Sequence, residues 1–152
     1  MERSSQGGVK LRGKSAGRPG IKIPRGVNTV LRRAGVVSAY VFGSRVRGEC
    51  AAGSDLDIAV RFSSARSNHQ TFRRRLELIR ALSLTLKCEV DLVVLDRDCP
   101  LFLQHVILST GRCFFCSDKK ARMEYDLRLM SEYFDFAPFL QEYNRHYVQR
   151  HS

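Results

Sequence analysis

The chain lacks any apolar run long enough to cross a membrane, which removes the helical transmembrane classes from consideration. Its N-terminus carries no apolar stretch of the signal-peptide kind, so the cytoplasm is the expected compartment. It also lacks the cysteine pattern of a disulfide framework: five cysteines, an odd number, fit reduced thiols. No internal repeat is present, and low complexity is confined to one end. Residues 1–26 have almost no large apolar side chain and a single acid, Glu2, against seven bases, so they hold +6 of the net charge of +11. With six glycines and two prolines besides, this stretch cannot bury enough surface to offset its ordering entropy. It reads as a flexible basic arm, separate from residues 27–152. Such charge supports contact with nucleic acid, but no aromatic is interleaved for base stacking, and a solvated tail is the weightier reading.

What remains is most simply one domain with a core of its own. Residues 27–34 predict a short helix closed by Gly35, and residues 36–42 and 56–62 predict strands of β-branched and aromatic residues. Residues 71–86 predict a helix with Phe72, Leu76, Ile79 and Leu86 on its apolar face, and with Arg73, Arg74 and Arg75 on a solvated one. A third strand is expected over 89–95, with Val90, Leu92 and Val94 on one side. A helix follows over 100–109, stopped by Gly111, and then a short strand over 113–116. Asp118 caps a last helix, which Pro138 should end near residue 136. Strands alternating with helices predict an α/β domain, a small mixed β-sheet of about four strands flanked by helices.

The segment from Val41 to Val60, VFGSRVRGECAAGSDLDIAV, carries the chemistry. Residues two apart in a strand share a face, so Asp55 and Asp57 set two carboxylates side by side, an arrangement that a cation relieves. Hard oxygen ligands suit Mg²⁺ or Mn²⁺. Taken alone, the two aspartates read as a turn cap, with Ser54, and a solvent-facing acid. They are preceded, however, by Gly43-Ser44 at the end of a strand, where free backbone N–H groups and a hydroxyl can receive an anion. Arg45 and Arg47 add forked donors suited to phosphate. Asp91 lies in a later apolar strand. Phosphoryl chemistry with divalent metals needs these parts: a phosphate grip, metal-bridging carboxylates and a proton acceptor.

Gly43-Ser44, ten residues, Asp55-Leu56-Asp57 and Asp91 on a later strand resemble the DNA polymerase β-like nucleotidyltransferase superfamily. Within it, the size and the phrase FGSRVRGECAAGSDLDIAV are similar to the minimal nucleotidyltransferases, the MNT or MntA antitoxins paired with HEPN toxins. The resemblance covers about residues 27–147. It implies a polymerase β-like fold and an enzyme that uses ATP with Mg²⁺, two ions in all, Mn²⁺ being the alternative metal. It implies that Gly43 and Ser44 hold the terminal phosphates, with Arg45, Arg47 and Ser54 as further nucleotide contacts. Asp55 and Asp57 would bind the metals, Asp57 shared between them, and Asp91 would complete the metal site and activate the acceptor hydroxyl. Glu89 competes with Asp91 for that role. The implied reaction is transfer of AMP to a tyrosine hydroxyl of a cognate HEPN toxin. Two other readings stay open: a small-molecule nucleotidyltransferase of the aminoglycoside-modifying kind, and an antitoxin that holds nucleotide and neutralises its partner by occlusion.

Cys113-Phe-Phe-Cys116 has the spacing of half a zinc site, but no second close pair accompanies it. Three apart on a regular strand, its thiols are expected on nearly opposite faces. Tyr125, Tyr133, Tyr143 and Tyr147 read as packing or partner contacts.

Overall fold

A computed structural model describes residues 23–43, 55–63 and 68–151. Among them, four strands and four helices follow in the order α1 (Arg25–Arg33), β1 (Val36–Phe42), β2 (Leu56–Phe62), α2 (Asn68–Leu86), β3 (Val90–Val94), α3 (Leu101–Thr110), β4 (Arg112–Cys116) and α4 (Lys119–His151). The strands form one mixed sheet in the order β3-β2-β1-β4. β1 is antiparallel to both its neighbours, and β2 and β3 run parallel. This is the expected α/β architecture.

The sequence of β1, VVSAYVF, shows no polar alternation because the strand is central and covered on both faces. One face of the sheet presents Ala39, Val41, Leu56, Ile58, Val60, Val90 and Leu92, packed with Val27 and Leu31 of α1 and Leu78 and Leu82 of α2. The opposite face presents Tyr40 and Ala59 to Ile107 of α3 and Tyr125 of α4. α1 starts behind Pro24, which presets the backbone at a helix entrance, and Ile23 already packs on the core. Gly35 takes the left-handed conformation (φ +74°) that closes α1 and turns the chain into β1.

Three expectations are corrected here. The apolar face of α2 is centred on Leu78 and Leu82, with Ile79 and Leu86 beside them, whereas Phe72 and Leu76 are 58% and 50% exposed. Pro138 does not end the last helix, which continues to His151. That proline lies on an exposed face, so the carbonyl four residues earlier loses its partner to water and not to the core. Finally, β4 carries a bulge: Tyr40 pairs with Cys113 and Ala39 with Phe115, so Phe114 is the extra residue. Cys113 and Cys116 therefore oppose Tyr40 and Ser38 and share one face, where a regular strand would have separated them. The cap was read correctly, since Asp118 accepts the Ala121 N–H at 3.0 Å.

Candidate nucleotidyl-transfer site

The site is laid out by two ladders. In the parallel ladder, Leu56 pairs with Val90 and Asp57 with Asp91, and the Leu56 N–H donates to the Glu89 carbonyl at 2.9 Å. In the antiparallel ladder, Phe42 pairs with Asp57. Leu56 and Ile58 take the buried face of β2, and this alternation turns Asp57 to the other side, where it is half-buried. Asp91 likewise stands between buried Val90 and Leu92 and is exposed. Neighbouring strands lie about 4.8 Å apart, so register partners bring these two carboxylates within the range of mutual repulsion. Asp55 is exposed and immediately precedes β2.

Gly43 follows Phe42 at φ +78°, a region that side chains disfavour. A Cβ built there would collide with the Asp57 carboxylate. Conformation and space therefore both exclude a side chain, and the backbone at the end of β1 lies directly against that carboxylate. Ser44, Arg45, Arg47 and Ser54 lie outside the described residues.

The donor set fits Mg²⁺ or Mn²⁺ in its chemistry. It consists of hard carboxylate oxygens on adjacent strands, with the Gly43 backbone directly against one of them, and Mg²⁺ is commonly held by one or two carboxylates plus substrate oxygens. Among the described residues, no three His, Cys, Asp or Glu side chains gather into a metal-holding group, so the structure brings together the Asp57–Asp91 pair and no larger cluster.

A cavity of about 580 Å³ opens at the other end of β2, lined by Arg61, Ser63, Asp96, Tyr125, Arg128 and Glu132 among others. Part of its floor is tied up in hydrogen bonds, whereas the buried Arg61 guanidinium nitrogens Nε and Nη2 have no hydrogen-bond partner among the described residues. Tyr125 donates its hydroxyl proton to Gln104 Oε1, and Gln104 Nε2 donates to the Asp96 and Cys99 carbonyls at 3.1 and 2.7 Å. Burial pushes the Tyr125 phenol well above its ordinary range, with the nearby Cys99 adding to the shift, so it keeps its proton. Burial raises the Cys99 thiol to about 11. This cavity lies away from the Asp57–Asp91 pair, neither of which lines it.

The arginine run was only partly legible. Arg73 is solvated, paired with Glu77 at 3.3 Å. Arg74 instead donates to the Ala34 carbonyl at 2.5 Å and lies over the Phe62 ring, and Arg75 Nε donates to the Leu92 carbonyl at 2.9 Å. The signal was available: Arg74 and Arg75 precede Leu78 by four and three residues, which places them on the helix face that is buried.

Residues 27–120 match the family described as Polymerase beta, Nucleotidyltransferase. The chain belongs to this family and is a nucleotidyltransferase. Its fold is similar to that of chains in solved toxin–antitoxin structures. One is a toxin–antitoxin with AMP-PNP (24% identity over 79% of this chain and 94% of that one, TM-score 0.65). Another is the tri-AMPylated Shewanella oneidensis HEPN toxin in complex with MNT antitoxin (23% identity, 79% and 91%, TM-score 0.60). A third is the toxin–antitoxin MntA-HepT (23% identity, 79% and 92%, TM-score 0.59). At these identities the likeness is one of fold. Comparison with curated proteins gave no match. Among the described residues no helix is long and apolar enough to cross a membrane.

Proposed function

We propose that this protein is an antitoxin that transfers AMP from ATP, with Mg²⁺, to a tyrosine hydroxyl of a cognate HEPN toxin. The observation that carries the reading is the alignment of Asp57 with Asp91, with Gly43 packed on Asp57, inside a nucleotidyltransferase domain. Gly43 and Ser44 hold the terminal phosphates, with Arg45, Arg47 and Ser54 as further contacts. Asp57 and Asp91 would hold the metal, with Asp55, which precedes β2 and is not gathered into the same group, as the further ligand proposed for the loaded site. A metal held there would supply charge neutralisation on the transferred phosphate and on the departing pyrophosphate. Asp91 accepts the proton of the incoming phenol as its oxygen bonds to the α-phosphorus and the bond from that phosphorus to the bridging oxygen breaks.

Among the described residues the cavity lies at the end of β2 opposite the carboxylates and neither Asp57 nor Asp91 lines it, which supports a protein as the acceptor. α4 offers exposed aromatics for docking: Phe136 and Phe139, 46% and 66% exposed and in ring contact, lie on one side of the helix, and Phe134, 65% exposed, lies on another. Tyr133 is committed elsewhere, stacked on His105 of α3 with centroids 3.6 Å apart, and its role is to pin the two helices. The toxin complexes that share this fold support the choice of partner. The test mixes this protein with the HEPN toxin proposed as its partner, ATP and Mg²⁺, and reads the toxin by intact-mass spectrometry. The reading requires a mass gain of whole AMP units on tyrosine. A toxin silenced at unchanged mass refutes transfer and leaves occlusion.

A further inference from the structure

β3 is an edge strand of five residues, hydrogen-bonded to a neighbouring strand on one side only. The Glu89 carbonyl and the Leu95 N–H both face β2, so the backbone groups of Val90, Leu92 and Val94 face outward by alternation. One of those outward groups, the Leu92 carbonyl, is taken by Arg75 Nε at 2.9 Å in a part-buried setting. Leu92 directly follows Asp91, the register partner of Asp57.

We propose that Arg75 is a positioning residue for the carboxylate pair: its bond to Leu92 holds the outer edge of β3 so that Asp91 stays in register beside Asp57. The proposal rests on the reading of Asp57 and Asp91 as the metal-holding pair. The clamp is anchored well, because Arg75 shares its helix face with buried Leu78 and Leu82. A short strand supported on one side is free to twist outward, and the separation of two carboxylates decides whether both reach one cation. The planar guanidinium fixes the direction of its donor, which a lysine on a flexible stem does not.

The experiment follows thermal unfolding while MgCl₂ is titrated without nucleotide. It compares the wild-type chain with Arg75→Met, Arg75→Lys and Arg73→Met. Arg75→Met should raise the half-saturating Mg²⁺ by roughly three- to ten-fold, the range expected for one lost hydrogen bond. Arg75→Lys should recover part of that loss. Arg73→Met, altering a side chain that is 76% exposed and bound only along its own helix, should match the wild type. In transfer assays kcat should fall in Arg75→Met with the KM for ATP unchanged, and amide exchange should quicken over residues 90–94. A lowered melting temperature with unchanged half-saturating Mg²⁺ overturns the proposal, because Arg75 then only stabilises. A wild-type chain whose melting ignores Mg²⁺ overturns the carboxylate reading, and the clamp with it. Should Arg75→Met fail to fold, Arg75→Lys carries the same comparison.

Discussion

Gly43→Ala separates the two reasons for which the end of β1 needs a glycine. The first is conformational: φ of +78° places an alanine in the left-handed region, at a cost of about 1–2 kcal/mol. The second is spatial: the new methyl group would occupy the position of the Asp57 carboxylate, which must then shift from its place beside Asp91. For a chain of this size each kcal/mol lowers Tm by roughly 2–4 °C, so the conformational part alone predicts a fall of about 2–8 °C. The spatial part should act on transfer far more than on stability, since misplacing a reacting group by about 1 Å can cost on the order of 100-fold in rate. Melting is read by calorimetry and transfer by intact mass. Repeating the substitution in an Asp57→Ala background removes the carboxylate and leaves the conformational cost, so the second drop in Tm should be smaller than the first. A Gly43→Ala protein that melts within about 1 °C of wild type and transfers at the wild-type rate would refute both halves of the argument.

Three further outcomes are expected. Asp57→Asn should abolish most of the Mg²⁺-dependent rise in Tm and the transfer reaction, and an unchanged Mg²⁺ response would place the metal elsewhere. Tyr125→Phe leaves Gln104 Oε1 buried without its donor and should cost about 1–3 kcal/mol while leaving transfer intact; loss of transfer at unchanged Tm would contradict the division between cavity and site. Because burial raises Cys99 in the folded chain to about 11 from 9.0, its contribution to stability is present below pH 9 and lost as pH rises towards 11. Cys113 and Tyr125 shift in the same direction, so Tm should fall over that window, and less steeply in Cys99→Ala, as measured by melting at stepped pH.

Much of this fold could be read from residue order, and the exceptions share a cause. β1 and β2 coincide with their expected limits because each is a β-branched run bounded by glycine, serine or aspartate. The facing of Asp57 and Asp91 was legible as two acids in apolar strands, but their pairing was not, because register is a property of two segments together. The phase of α2 was misread because Phe72 and Leu76 are apolar yet exposed, and two arginines share the buried stripe. A regular strand would put Cys113 and Cys116 on nearly opposite faces, and the bulge at Phe114 that brings them to one face leaves no glycine or other mark in the run RCFFC. The length of α4 was underestimated because the cost of a proline depends on whether the carbonyl it orphans can reach water.

The covering of β3 has a consequence for how the molecule meets others of its kind. Exposed strand edges are templates on which sheets grow from one molecule to the next. Here two of the outward carbonyls are already engaged, Leu92 by Arg75 and Val94 by the Asp96 N–H at 3.1 Å. A second strand arriving at this edge would meet a charged guanidinium and a turn where it needed open acceptors. The same arginine that steadies one carboxylate thus guards the sheet against extension, so its loss should show in concentrated solution as slow growth of β-rich aggregates.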